Sequence, residues 1–254
     1  MRILLSVDGR SWNLFALCFF LLGLLPTSLR GQAGIVSWGR DVEGQVSNTP
    51  AGSTYTQLAG GGWHSVALDV DGSIVSWGKN EYGQVSSTPA GTGFTQVAAG
   101  YYHSLALRSD GSIASWGFNI HGQVSSTPSG TGFIQLTAGY YHSAALRADG
   151  SIVAWGYDGQ GQVSNAPSDT GFTQLAGFNN HSLALRADGS IVGWGYDVYG
   201  QVSNAPSGTG FTQIAVGFHH SHALRPDSPS TSSNRSGCRT SNATKRWLSH
   251  GIGS

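Results

Sequence analysis

Five histidines recur at a constant spacing of 39 residues, and each stands directly before a serine. They are His64, His103, His142, His181 and His220. Histidine is the commonest metal ligand, so the series first suggests a metal site. Packed sheets lie about 10 Å apart, however, whereas a zinc ion needs its ligands at about 2.1 Å. We therefore interpret these histidines as hydrogen-bonding residues of a repeated scaffold and predict no metal site.

The rest of the chain shows no arrangement of residues that is typical of a catalytic site. His219, His220 and His222 are closely spaced, but consecutive residues of a strand point to opposite faces. The sequence contains no nucleophile elbow, phosphate-binding loop or zinc-ligand spacing, and its acidic residues belong mainly to turns and loops. We predict a protein that is not an enzyme, with no catalytic residues and no cofactor.

Two short windows vary between the copies while their flanks stay constant. The first is the pair of residues before each histidine, and the second follows each Trp-Gly pair. Tyrosine and tryptophan at strand ends offer the large, stiff contact area that protein interfaces concentrate. The alternative is that these rings only shield the strand ends. The residues selected for partner binding are Trp63, Tyr101, Tyr102, Tyr140, Tyr141, Asn179, Asn180, Phe218 and His219.

The elements that must position these residues follow from one copy, residues 94–132. Asp110-Gly111 separates two runs of alternating polarity, which predicts a β-hairpin with a type I′ turn. Phe94–Ala99 has the composition of a further strand, and Gln123–Ser125 that of a short fourth strand. Pro128 and the glycines beside it end the pairing and connect one copy to the next.

Five such copies without an insertion fill residues 34–227 and predict an all-β protein. The expected architecture is a β-propeller of about five blades, either a closed ring or an open arc. A helical fold is disfavoured because the 254 residues include only two glutamates and two lysines. The tryptophan of each copy is expected to pack between blades; ligand stacking is the alternative.

The copies resemble the regulator of chromosome condensation repeat. The matching residues are Ala99-Gly100, His103-Ser104, Asp110-Gly111, Trp116-Gly117 and Gly122-Gln123. The short, uniform repeat is closest in style to secreted bacterial members such as the propeller inhibitors of β-lactamase. The resemblance implies a β-propeller whose partner contacts gather in the loops on one face. The members used for this comparison have seven blades, whereas this chain has five copies.

The two ends of the chain differ from the repeats. Residues 1–33 contain a twelve-residue apolar run, Leu14–Leu25, which is shorter than the roughly 20 residues of a membrane span. We predict a signal peptide there, with an uncleaved anchor as the alternative. Residues 228–254 are rich in serine and arginine and are expected to be disordered. Two cysteines, Cys18 and Cys238, provide no disulfide framework.

The net charge of the repeats and the predicted export of the chain together limit the classes of function that we expect. Residues 34–227 hold six basic and twelve acidic side chains, a balance that disfavours nucleic-acid binding. We expect a secreted, cell-surface or periplasmic protein, with no membrane span once the leader is removed. The leading hypothesis is a protein-binding propeller that contacts a protein partner through its aromatic rim. The alternatives are a guanine-nucleotide exchange factor for a small GTPase and a structural cell-surface array.

Ring closure can be predicted from the positions at which the copies begin and end. Ile35–Trp38 corresponds to the strand after the hairpin turn, and Ser221–Leu224 to the strand before it. Antiparallel pairing of these segments would complete one blade from both ends of the chain and leave no open edge. The alternative is an open arc, which would expose Ile35, Val36 and Trp38 and favour homodimers.

Overall fold

The computed structural model of the chain describes residues 34–52 and 54–226. The predicted signal peptide and the predicted disordered tail lie outside the described residues. All regular elements within these two ranges are β-strands, which confirms the all-β expectation. Accordingly, this part of the chain contains no helix of the length and apolarity that a membrane crossing requires.

Fourteen strands follow one another along the described chain. They are β1 (Tyr55–Gly60), β2 (His64–Asp69), β3 (Ile74–Gly78), β4 (Phe94–Ala99), β5 (His103–Arg108), β6 (Ile113–Gly117), β7 (Phe133–Ala138), β8 (His142–Arg147), β9 (Ile152–Gly156), β10 (Phe172–Phe178), β11 (His181–Arg186), β12 (Ile191–Gly195), β13 (Gln213–Val216) and β14 (Ser221–Leu224). They form four three-stranded antiparallel sheets and one two-stranded sheet, β13–β14. We number these sheets blades 1 to 5 in chain order.

The interior of the protein lies between blades rather than within them. Trp116 of blade 2 is only 3% exposed and belongs to a cluster with Val66 and Leu68 of blade 1 and Val97 of blade 2. Its indole Nε1 donates a 2.9 Å hydrogen bond to the carbonyl oxygen of Gln84, in the segment that follows blade 1. The prediction that the repeat tryptophans pack between blades is confirmed for Trp116, Trp155 and Trp194 of blades 2 to 4.

The hairpin turn is present, but the predicted turn type is wrong. Arg108 N–H donates to Ser112 O and Gly111 N–H donates to Arg108 O, both at 2.9 Å. Gly111 has a φ of 79°, whereas Asp110 is not among the described residues with positive φ. The loop is therefore a three-residue loop with a glycine bulge, because a type I′ turn needs positive φ at both central positions.

The predicted fourth strand at Gln123–Ser125 is also wrong. Its N–H groups turn toward the preceding loop, where Asn119 Oδ1 accepts hydrogen bonds from Val124 and Ser125 at 2.9 Å each. Ser126 N–H then donates to Gly122 O at 3.0 Å, which closes a helical type of turn. The side-chain oxygen of Asn119 thus accepts the hydrogen bonds that a neighbouring strand would otherwise accept from the N–H groups of Val124 and Ser125.

The predicted ring closure is contradicted. Among the residues that the structure describes, strand β14 pairs only with β13, and Ile35–Trp38 forms no strand. Val36 is 79% exposed and Trp38 is 83% exposed. The principal contacts between strands of different blades join consecutive blades, such as β4 with β7 and β10 with β13. Each interface repeats the same step from one blade to the next, and the four steps between the five described blades leave an open arc.

Candidate functional site

The repeated histidines link neighbouring blades. His64 Nε2 shares a 2.7 Å hydrogen bond with Ser104 Oγ of the next blade, and the same bond recurs at every later interface. The further pairs are His103 with Ser143 at 2.8 Å, His142 with Ser182 at 2.9 Å, and His181 with Ser221 at 3.0 Å. Burial lowers the pKa of His64 and His142 to about 4 and that of His103 to about 3. The predicted role as scaffold residues is confirmed for these four histidines, whereas His220 of blade 5 is exposed.

In each of blades 1 to 4, a glutamine in the first strand makes a second link to the following blade. Gln96 Oε1 accepts a hydrogen bond from Leu136 N–H at 2.9 Å, and its Nε2 donates to Leu136 O at 3.2 Å. Gln57 Oε1 accepts from Val97 N–H at 2.8 Å in the same way. The histidine and glutamine hydrogen bonds together fix the position of each blade relative to the next. The residues at the ends of the strands therefore keep a constant spacing from blade to blade.

Both variable windows lie at one rim of the arc. Tyr101 and Tyr102 form the turn between β4 and β5, and Phe118 directly follows β6. Strand β5 is antiparallel to both neighbours, so its first residue lies beside the last residues of β4 and β6. Phe118 N–H donates a 2.9 Å hydrogen bond to Tyr102 O, which joins the two windows.

Five of the selected residues form one continuous surface, which we call the aromatic ridge: Trp63, Tyr101, Tyr102, Tyr140 and Tyr141. Tyr101 and Tyr140 stack with ring centroids 4.0 Å apart and an interplanar angle of 14°. Tyr102 lies edge-on to Tyr101 at 4.6 Å, and Tyr141 lies edge-on to Tyr140 at 4.4 Å. All five rings are half-buried, and the ridge crosses the first three blades.

The second window widens the ridge with aromatic residues that the selected set omits. Tyr82 and Phe118 lie with their ring centroids 4.9 Å apart, and Phe118 lies 5.4 Å from Tyr141. His121 contacts Tyr157 at 4.9 Å. The sequence pattern indicates this second window as variable, but the set predicted to bind a partner does not include its rings. The antiparallel pairing of each middle strand was the signal that could have placed both windows together.

A cleft of about 370 Å³ opens beside the ridge, at the junction of blades 3 and 4. Its lining residues are His121, Tyr140, Tyr141, Tyr157, Gln160 and Asn180. Asn180, which was also predicted to bind the partner, therefore lies beside the ridge as part of the cleft wall. The cleft is lined by aromatic faces with a few amide and hydroxyl groups, a composition that is typical of ligand-binding clefts.

The ridge is uncharged and has cations at its blade 1 end. Burial raises the pKa of Tyr102 and of Tyr140, so their hydroxyls stay protonated at neutral pH. The guanidinium of Arg40 lies 4.5 Å from the ring centroid of Trp63. Lys79 Nζ lies 6.0 Å from the ring centroid of Tyr102 and forms a 2.7 Å ion pair with Glu81. The site can therefore donate hydrogen bonds and offer apolar faces.

The remaining selected residues do not join the ridge. Asn179 is only 4% exposed, and its Nδ2 donates a 2.8 Å hydrogen bond to Phe218 O, so it links blades 4 and 5 instead of offering contact area. Its φ of 49° is one that asparagine tolerates better than most residues. Phe218 and His219 are exposed and belong to a separate aromatic group, in which His219 lies 4.9 Å from Tyr199.

Solved structures with the same fold include the ectodomain of the Physcomitrella patens receptor kinase CR4, with a TM-score of 0.66 and 24% identity over 77% of this chain and 56% of that one. Prp20p from Saccharomyces cerevisiae has a TM-score of 0.57 and 22% identity over 78% of this chain and 66% of that one. Human WBSCR16 has a TM-score of 0.57 and 21% identity over 68% of this chain and 59% of that one. The chain thus spans between 56% and 66% of the length of these structures.

Sequence comparison agrees with the fold. A search of the curated proteins found no match. The family model of the regulator of chromosome condensation (RCC1) repeat matches residues 55–84, 94–123, 133–162 and 176–201. Three matches begin at the first residue of a blade, and the fourth begins within β10. Each match ends at the Gly-Gln pair that follows the third strand of its blade. Blades 1 to 4 are therefore RCC1 repeats, which makes this chain an RCC1-repeat protein.

Proposed function

We propose that this RCC1-repeat propeller is an exported, non-enzymatic protein-binding module that holds its partner on the aromatic ridge. The observation that carries the proposal is the ridge itself, in which five half-buried rings from three blades contact one another along a single rim. Aromatic rings clustered in this way are typical of the energetically dominant residues of protein interfaces.

The chemistry of the ridge favours a protein segment as its ligand. Stacked rings present flat apolar area, while the protonated hydroxyls of Tyr102 and Tyr140 can donate hydrogen bonds to backbone carbonyls. The adjacent cleft of about 370 Å³ is large enough for one partner side chain beside the ridge. The partner is expected to cross the rim as a loop or an extended strand and to insert one side chain next to Tyr141.

One solved propeller of the same fold, Prp20, is described together with protein ligands in two structures. One structure is of Kap60 bound to yeast RCC1 (Prp20), and another report of Prp20p concerns its binding to Gsp1p and histones. These descriptions support the proposal that such a scaffold presents a protein-binding face. Export rests on residues 1–33, whose apolar run is typical of a signal peptide.

The test compares the wild-type protein with a variant that carries both Tyr101→Ala and Tyr102→Ala. Partner capture from the extracellular fraction should fall by about tenfold or more, as expected when two central interface rings are removed. Loss of the Tyr101–Tyr140 stack should cost only about 0.5–1.5 kcal/mol of stability. The matched control is Tyr199→Ala, which removes an exposed ring of the separate group.

Unfolding of the double variant would show that these rings are core and that the ridge is not a binding surface. Equal capture by the wild-type protein and the double variant would contradict the ridge as the binding site. A nucleotide-exchange assay with small GTPases separates the alternative function, because an exchange factor would accelerate nucleotide release. Retention of the full chain inside the producing cells would contradict export.

A further inference from the structure

Blade 5 has an open edge on its second strand. In blade 4 the middle strand β11 pairs with β10 on one side and with β12 on the other. The equivalent strand β14 pairs with β13 alone among the described residues. Leu224 on β14 is 58% exposed, whereas its counterpart Leu185 on β11 is 5% exposed. Within the described ranges, the apolar positions of this strand therefore lack the cover that the third strand gives in the other blades.

The opposite end of the arc carries an unpaired segment that has the sequence of a third strand. Ile35–Gly39 has the sequence Ile-Val-Ser-Trp-Gly, which is identical to that of β3. In blade 1 this sequence pairs with β2, and its tryptophan, Trp77, is 6% exposed. Trp38, the matching residue of the unpaired segment, is 83% exposed. The described residues thus include one open strand edge, on β14. They also include one unpaired segment, Ile35–Gly39, with the sequence that covers the equivalent edge in blade 1.

We propose that Ile35–Gly39 of one copy of this chain adds to β14 of a second copy and completes its fifth blade. The register follows from blade 4, where His181 lies opposite Gly195, Leu183 opposite Gly193, and Leu185 opposite Ile191. A shift by the 39-residue repeat places His220 opposite Gly39, His222 opposite Ser37, and Leu224 opposite Ile35 of the second copy. Strand addition of this kind is an established mode of recognition.

An acceptor for the incoming tryptophan is already in place. In blade 4, Trp194 Nε1 donates a 2.9 Å hydrogen bond to Gln162 O. The equivalent carbonyl for blade 5 is that of Gln201, which accepts a 3.0 Å hydrogen bond from Ser221 Oγ. A docked Trp38 would meet the same carbonyl that its counterparts use, so both the backbone pairing and the side-chain hydrogen bond favour this segment.

A second copy is the favoured source of the strand because the arc keeps its own ends apart. The described Ile35–Trp38 and β14 belong to one chain and do not pair with each other. The blades superpose on structures of which this chain spans only 56% to 66%, so an arc of the same curvature falls short of a full turn. Two copies that exchange these segments reciprocally would close a dimer, whereas a one-way contact would extend into longer oligomers.

Cysteine cross-linking between two differently tagged copies tests the register, with Cys18 and Cys238 replaced by serine in both full-length chains. One copy carries Ser37→Cys and the other carries His222→Cys. Arg186 N–H donates to Ser190 O, and hydrogen-bonded pairs alternate along the ladder, so Leu183 and Gly193 form a non-hydrogen-bonded pair. The corresponding cysteines would have Cα atoms about 4.5 Å apart, a separation that a disulfide accepts.

The expected result is a disulfide-linked dimer that contains both tags. A chain that carries both cysteines should likewise form cross-linked dimers or larger species. A double-cysteine chain that closes on itself as a monomer would overturn the proposal in favour of ring closure within one copy. A mixture that stays free of cross-links, together with a monomeric mass by light scattering, would also overturn it and leave β14 to residues outside the described range.

A proline pair provides an independent measurement. Val36 would occupy a hydrogen-bonded position opposite Ala223, so Val36→Pro removes a donor that points at β14. The N–H group of Ser37 would point away from β14, which makes Ser37→Pro the matched control. Val36→Pro should weaken self-association by about tenfold or more, while Ser37→Pro retains it. Equal self-association of the two proline variants would overturn the proposal.

Discussion

Lowering the pH from 7 to 5 should destabilise the propeller through its buried histidines. Burial holds the pKa of His64 and His142 at about 4 and that of His103 at about 3, whereas the unfolded chain has values near 6.5. The folded-state pKa is the lower one, so protons bind preferentially to the unfolded chain. Their contribution to stability is therefore fully present above about pH 6.5 and is lost as the pH falls toward 4.

The size of the effect follows from these values. Between pH 7 and pH 5, each of the three histidines should remove about 2 kcal/mol from the free energy of unfolding, or about 6 kcal/mol together. A small domain is typically stable by about 5–15 kcal/mol, so this loss brings the propeller close to unfolding at pH 5. Urea unfolding followed by tryptophan fluorescence at both pH values measures the difference directly.

Two variants separate titration from the hydrogen bond at the same interface. His103→Gln removes the titrating group and should reduce the difference between pH 7 and pH 5 by about 2 kcal/mol. Ser143→Ala removes the hydroxyl that bonds to His103 Nε2, so it should lower stability at pH 7 but leave the pH-dependent difference in place. A full pH-dependent difference in His103→Gln would refute the reasoning.

Two further predictions concern stability. Trp116→Ala should cost about 3–5 kcal/mol because it empties a buried site between two blades, whereas Ile120→Ala removes a side chain that is 77% exposed and should leave the melting temperature nearly unchanged. Gly111→Ala should cost at least about 1–2 kcal/mol, because its φ is 79° and the new Cβ would lie 2.5 Å from Gly132 N. Gly130→Ala, at a φ of 92° with no atom within 4 Å of the new Cβ, should cost less; equal losses in thermal unfolding would contradict a steric contribution.

The strands and the rim could be predicted because they depend on local pattern. Alternating polarity on both sides of Asp110-Gly111 defines a hairpin whatever its exact turn type, and the variable pairs lie at strand ends. The turn type was missed because Gly111 alone supplies the positive φ. The fourth strand was missed because Asn119 captures the N–H groups of Val124 and Ser125.

Two other features depend on how blades are arranged and lay beyond local pattern. Ring closure is decided by the rotation from one blade to the next, which no single copy reveals. The burial of Asn179 depends on Phe218 of the following blade, whose carbonyl accepts its side-chain hydrogen bond. The ridge itself could be predicted as a set of rim residues, but the stack of Tyr101 on Tyr140 required the actual spacing of two blades.

The direction of the links between blades has a consequence for how such a chain can change length in evolution. Each blade offers a histidine and a glutamine to the next one, so every interface accepts any blade that follows. Deletion of residues 94–132 would join Gly93 to Phe133, and His64 would then face Ser143 in the place of Ser104. Unequal recombination between the near-identical copies could therefore lengthen or shorten the arc by whole blades. Each blade gained or lost would change stability by about one blade and one interface, while the rim residues diverge independently.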